Sequence, residues 1–207
     1  MIRLYDYWRS SASYRVRIAL AMKDVAYERH DVNLLAGEQG ADANRARNAQ
    51  GFVPTLEVDG QTIGQSLAII DWLDSTYPDP PLLPRDPMAR AHTLQRALAI
   101  AADIHPVNNL RILKRLSAMG IDQAGRDDWY RHWVADGFAA LEAMAGEGRY
   151  LGGETLDLSD VCLVPQMYNA RRLETPLDAY PRLVAIDSAL NELPAFQAAR
   201  PDRFAPA

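Results

Sequence analysis

YPDPPLLPRDP, at residues 77–87, holds five of the chain's thirteen prolines. Proline has no amide hydrogen and its ring clashes with the preceding helical turn, so this run is no helix interior. It reads as a stiff connector between regions of different pattern. Upstream, residues 2–8 (IRLYDYW) are rich in β-branched and aromatic side chains and read as a strand. Residues 13–23 offer Val16, Ile18, Ala19, Leu20 and Met22 for burial on a helix. Residues 27–33 read as a second strand and residues 38–47 as a short polar helix. Residues 54–58 and 61–63 flank Asp59-Gly60, a hairpin signal, because glycine supplies the positive φ that a tight turn needs. Residues 66–77 then form an amphipathic helix with Leu67, Ile69, Ile70, Trp72 and Leu73.

Downstream of the connector no strand pattern occurs. Helical spacing runs over residues 88–116, with a kink expected at His105-Pro106, and again over 127–145, 158–173 and 180–193. Mixed elements followed by helices alone predict two domains, a small α/β domain at 1–80 and an all-α domain at 87–207.

Composition narrows the function classes. The chain has 207 residues, is 48% hydrophobic and 24% charged, and carries a net charge of −5, so no basic field draws it to nucleic acid or anionic lipid. Its one cysteine, Cys162, allows neither an intrachain disulfide nor a cysteine metal cluster, and lies in an apolar run that suits a small core residue. The four histidines, at 30, 92, 105 and 132, lack metal-ligand spacing, so no metal is expected. Arg3, Asp6 and Arg9 exclude a signal peptide or membrane span at the start. A soluble, cytoplasmic protein is the expectation.

Several residues carry chemistry by position. Ser10 and Ser11 fall between a strand end and a helix start, where exposed amides favour an anion and a hydroxyl can donate to it. The same serines suit simple helix capping. Val53-Pro54 is either a cis bond or a proline at a strand's first residue. Gln65-Ser66 opens a helix, with Ser66 expected as its N-cap. Asp157-Leu158-Ser159-Asp160 reads as a capping box that serves folding.

Five ordered segments resemble the zeta class of the glutathione transferases. They are RSSASYRVRIAL at 9–20, QGFVPTL at 50–56, Gln65-Ser66, DIHPVNN at 103–109 and LVPQ at 163–166. The resemblance implies a thioredoxin-like α/β domain followed by an all-α domain, glutathione as cofactor, and cis–trans isomerisation of a small dicarboxylate, maleylacetoacetate or maleylpyruvate. It makes Ser10 the partner of the glutathione thiolate, with Arg9 beside it. The thiolate would add to the cis double bond, allow rotation and be expelled. Ser10, Ser11, Ala12, Gln39, Gln50, Val53, Gln65, Ser66, His105 and Asn109 would line the glutathione site. His105 and Asn109 would sit one turn apart on a single helix. Arg9, Arg111 and Arg172 would hold the substrate carboxylates, which a guanidinium binds through two parallel hydrogen bonds. The family usually has cysteine where this chain has Ala12. A homodimer is implied, with contacts around Leu67 to Trp72 and after Met88. The alternatives are a transferase acting on α-halo acids and a non-catalytic glutathione-binding module.

Overall fold

In the computed structural model, which describes residues 1–206, β1 (Ile2–Asp6) pairs along both edges. It runs parallel to β2 (Glu28–Asp31) and antiparallel to β3 (Thr55–Val58), which pairs with β4 (Gln61–Gly64) in the order β2-β1-β3-β4. The parallel pair is joined through helix α1 (Ser11–Met22), as a parallel connection requires. The Asp59-Gly60 hairpin is as expected, with Gly60 at φ 83°. The short α2 (Asp42–Arg47) follows a 3₁₀ turn at Glu38–Gly40, and α3 (Ser66–Thr76) closes the mixed half.

Leu4 and Leu56 on the sheet, Val16 and Leu20 on α1, and Ile69, Ile70 and Leu73 on α3 are fully buried. Burial of such side chains contributes about 1.5–3 kcal/mol each. Lys23 ties the end of α1 to the end of α3, its ammonium reaching Asp74 and the carbonyls of Tyr77 and Pro80 at 2.8, 2.6 and 3.0 Å.

The chain forms two units, one of Met1–Pro81 with the stretch from Leu193 onward, the other Leu82–Glu192. That last stretch holds α10 (Pro194–Ala199) and a 3₁₀ turn at Pro201–Phe204, and α10 packs on α1. The helical spacing expected from sequence ends at 193, and two further short helices begin at Pro194 and Pro201. Each proline occupies a first helical turn, where no amide hydrogen is needed.

The second unit contains α4 (Pro87–Leu98), α5 (His105–Val107), α6 (Leu110–Ala118), α7 (Gln123–Met144), α8 (Leu158–Arg172) and α9 (Pro181–Asn191). α8 is its buried centre, and Cys162 is fully buried there. The expected capping box is present: Asp157 accepts from the Ser159 amide at 2.7 Å, and Asp160 accepts from the amides of Asp157 and Leu151 at 2.9 and 2.8 Å. From α4, the Thr93 hydroxyl donates to Asp157 at 2.6 Å and Arg96 approaches it at 3.2 Å.

The long helix expected over residues 88–116 is interrupted. Residues Ala99–Ile104 form a π-helical turn just before Pro106, which lacks an amide to continue the ladder. A second break falls at Asn108-Asn109. His105 and Asn109 therefore do not share one helix as expected: His105 lies in α5 and Asn109 caps α6.

Two stability predictions follow from this packing. A Cβ added at Gly137 of α7 would lie 2.2 Å from the Ile104 side chain of the π turn. Gly137→Ala is expected to destabilise by about 1–3 kcal/mol, measured by denaturant unfolding. Burial lifts the Asp160 carboxyl from 3.8 to about 7, against the pull of the Leu151 and Asp157 amides. The folded state then holds this proton more tightly than the unfolded one, so the group's contribution to stability falls as pH rises from 3.8 to about 7 and is level above. Subtracting the unfolding free energies of Asp160→Asn from wild type across a pH series should return that downward slope; a flat difference would refute it.

Candidate functional site

β1 ends at Asp6 and α1 begins at Ser11, so only four residues, Tyr7 to Ser10, turn the chain from strand to helix. The Ser10 amide donates to the Tyr7 carbonyl at 2.9 Å, and the Ser10 carbonyl accepts the first α1 bond from Tyr14 at 2.9 Å. Ser10 is the N-cap, its hydroxyl oxygen accepting from the Ser13 amide at 3.3 Å. Capping therefore uses the oxygen as acceptor and leaves the hydroxyl hydrogen available to donate. The Ser11 and Ala12 amides belong to the first turn, which has no intrahelical acceptors for them. Ser10 is half-buried, while Ser11 and Ala12 are buried. Arg9, also half-buried, lies with its guanidinium 5.3 Å from the Trp8 ring centroid.

The Val53-Pro54 bond is cis, one of the two arrangements that sequence left open. Among the described residues the Val53 backbone takes part in no strand or turn hydrogen bond. Gln50 and Gln65 are brought together, the Gln65 amide group donating to the Gln50 carbonyl oxygen at 2.8 Å. Gln39 comes near the same loop, because a Cβ on Gly51 (φ 65°) would lie 3.0 Å from the Gln39 carbonyl. Its side-chain Oε1 is buried and has no hydrogen-bond partner.

Ser66 is not the N-cap expected from sequence. Gln65 holds the cap position at φ 66°, ψ 117°, and Ser66 is the first helical residue. The Ser66 hydroxyl instead accepts from Arg15 at 3.3 Å. A buried guanidinium behind a helix N-terminus adds to its positive potential, which suits a carboxylate.

In the second unit, the Asn109 side chain accepts from the Arg111 amide at 3.1 Å and caps α6. Arg111 is exposed in the first turn of that helix. His105 is half-buried in α5. Arg172 ends α8, exposed, close enough to Tyr130 that its charge opposes the rise that burial imposes on the phenol. His105, Asn109, Arg111 and Arg172 are thus carried on three helices of this unit.

Sequence reading missed two residues that organise the first unit. Asn48 donates to the Phe52 carbonyl and the Thr55 hydroxyl at 3.3 and 3.2 Å and accepts from the Gln50 amide at 3.1 Å, fixing the loop that carries Gln50 and Val53. The signal was an asparagine three residues before a glycine, in a turn where asparagine commonly binds its own backbone. Arg15 was read only as part of a motif. A charged residue on the buried side of a helix announces a buried partner, and that partner was Ser66.

Residues 4–81 match the family described as the glutathione S-transferase N-terminal domain. The chain is 46% identical over 207 residues to the maleylacetoacetate isomerase of Rhizobium meliloti (strain 1021), covering 98% of this chain and 97% of that protein. A solved holo structure of a maleylpyruvate isomerase, described as a bacterial zeta-class enzyme, superimposes with a TM-score of 0.94 at 44% identity, over 96% of each chain. The chain belongs to the zeta class of the glutathione S-transferases. A maleylacetoacetate isomerase from Anaeromyxobacter dehalogenans 2CP-1, solved with bound glutathione, is similar at a TM-score of 0.88 and 43% identity, covering 98% of this chain and 96% of that one. Thioredoxin-like and helical parts are thus established by kinship as well as by topology.

For this zeta-class chain, the strained backbone of Gln65 yields a direct test. A non-glycine residue at positive φ costs on the order of 1 kcal/mol. Gln65→Gly should raise the unfolding free energy by about 1 kcal/mol even though it removes the bond to Gln50.

Proposed function

We propose that this protein is a glutathione-dependent cis–trans isomerase of maleyl-keto diacids, the class containing maleylacetoacetate and maleylpyruvate. The observation that carries this reading is the state of Ser10, whose oxygen is engaged by the Ser13 amide while its hydrogen is left to donate at the start of α1.

The first unit fits the tripeptide. The Val53 backbone offers strand-like pairing to a peptide. The buried Gln39 Oε1 can accept a peptide N–H, and the start of α3 backed by Arg15 suits a free carboxylate. Ser10, Ser11, Ala12, Gln50, Gln65 and Ser66 are assigned to the same ligand, with His105 and Asn109 from the helical unit. When bound, glutathione supplies the sulfur nucleophile that adds to the cis double bond and leaves after rotation, so it is not consumed.

The chain's own residues do the rest. Ser10 donates to the sulfur anion, and the Ser11 and Ala12 amides add partial positive charge, which together lower the thiol's proton affinity. Arg9, Arg111 and Arg172 are assigned to the two carboxylates and to the charge that develops on the keto oxygen during addition. A second copy of the chain is assigned to the face of α4, where Met88 and Leu98 are exposed apolar residues. No helix among the described residues is long and apolar enough to cross a membrane, and a cytoplasmic setting suits the single buried thiol.

The decisive experiment is turnover of both maleyl substrates with and without glutathione. Wild type should need glutathione, and Ser10→Ala should lower kcat by about tenfold to a hundredfold through loss of a charge-assisted hydrogen bond. The same variant should lose about 0.5–2 kcal/mol of stability through the lost cap, so rates must be normalised to folded protein. Glutathione binding without turnover of either substrate would favour a binding module instead.

A further inference from the structure

Arg9 and Ser10 share a neighbour, Trp8, whose position is set from below. Arg17 lies nearly two turns into α1, and its side chain runs back toward the helix start, as long helical side chains do. Each of its three nitrogens has a different acceptor. Nη2 donates to the Trp8 carbonyl at 2.9 Å, Nη1 to the Asp6 carboxylate at 2.5 Å, and Nε to the Ala199 carbonyl at 3.2 Å. The guanidinium also lies over two rings, 5.5 Å from the Tyr14 centroid and 4.7 Å from that of Phe204. Arg29 completes the cluster, bonding the other Asp6 oxygen at 2.6 Å with its own guanidinium 5.3 Å from the Phe204 ring. Arg17 is fully buried and far too well engaged to touch a ligand. What it holds is the carbonyl of the residue whose ring stacks on Arg9 and whose chain leads into Ser10.

We propose that Arg17 is a positioning residue for Arg9 and Ser10, and that the C-terminal Phe204 ring is the clamp that keeps its guanidinium aimed at the Trp8 carbonyl. The inference rests on the reading of Ser10 as the thiolate's partner. The turn from Tyr7 to Ser10 has one internal backbone bond, Ser10 to Tyr7, and Trp8 would otherwise be free to pivot about it. A pivot displaces the stacked Arg9 guanidinium and the Ser10 hydroxyl together. A displacement of about 1 Å can remove about a hundredfold in rate without touching a reacting atom. The Arg–Asp pair alone does not require this arrangement, since a lysine could neutralise Asp6. A planar fork is needed to serve three acceptors in different directions.

The test compares Arg17→Lys with wild type, reading kcat for a maleyl-keto substrate and the ultraviolet thiolate band of bound glutathione against pH. The expected result is a folded variant whose kcat falls about tenfold to a hundredfold, with thiolate forming at higher pH than in wild type. An unmoved thiolate titration overturns the proposal, whether kcat is unchanged or falls only with the folded fraction, because a merely structural role would do the latter. Should Arg17→Lys fail to fold, Phe204→Leu keeps every hydrogen bond of the guanidinium and removes only the ring. It should move the titration the same way and cost about threefold in kcat; no movement overturns the proposal equally. A wild-type protein with no thiolate band sinks the Ser10 reading and this proposal with it, whereas a wild-type band that neither variant shifts sinks this proposal alone.

Discussion

The Asp6 carboxylate, with no exposure to solvent at the end of β1, must find its counter-charges inside the protein. An ion taken out of water costs several kcal/mol unless it is paired and hydrogen-bonded. Arg29 from β2 and Arg17 from α1 meet it on opposite oxygens. The three elements of the first β-α-β unit are therefore joined through one charge as well as through the sheet and the Leu4 core. The four-residue turn that carries the candidate chemistry is suspended between them. Its Trp8 carbonyl is held by the same Arg17 guanidinium that meets Asp6.

Chemistry and net charge point in opposite directions here. The chain is acidic overall, at −5, yet its proposed ligands are anions. Local devices resolve this. The start of α1 gathers free amides beside Arg9, the start of α3 is backed by Arg15, and the helical unit offers Arg111 and Arg172 at a helix beginning and a helix end. Backbone dipoles and single guanidiniums act over a few ångströms, whereas the net charge is screened beyond roughly 8 Å at physiological salt. An acidic protein can therefore hold a diacid without attracting nucleic acid.

Much of this was legible because each signal was local. Asp59-Gly60 set a hairpin, the proline run set the boundary of helix interiors, and Asp157 with Asp160 wrote a capping box whose bonds are all formed. What escaped depended on partners distant in sequence. Ser66 looks like a cap until Arg15, fifty-one residues earlier, takes its hydroxyl. The split of residues 88–116 into separate helices depends on how the chain accommodates Pro106 and on Gly137 admitting Ile104, which no window of that segment shows. The return of α10 to α1 was hidden because proline is ambiguous between stopping a helix and starting one. The cluster around Arg17 was invisible for the same reason as Ser66, since Ala199 lies 182 residues away.

That return has a bearing on how the chain matures. The first unit is discontinuous: its sheet, α1 and α3 are made early, but α10 and Phe204, which close over α1 and the Arg17 guanidinium, are synthesised only after the whole helical unit. During translation the sheet can pair and the helical unit can condense while this corner waits. Closure of the strand-to-helix turn therefore waits until residues 194–204 have been made, so a nascent chain that has not reached them carries the motif in an unfastened state.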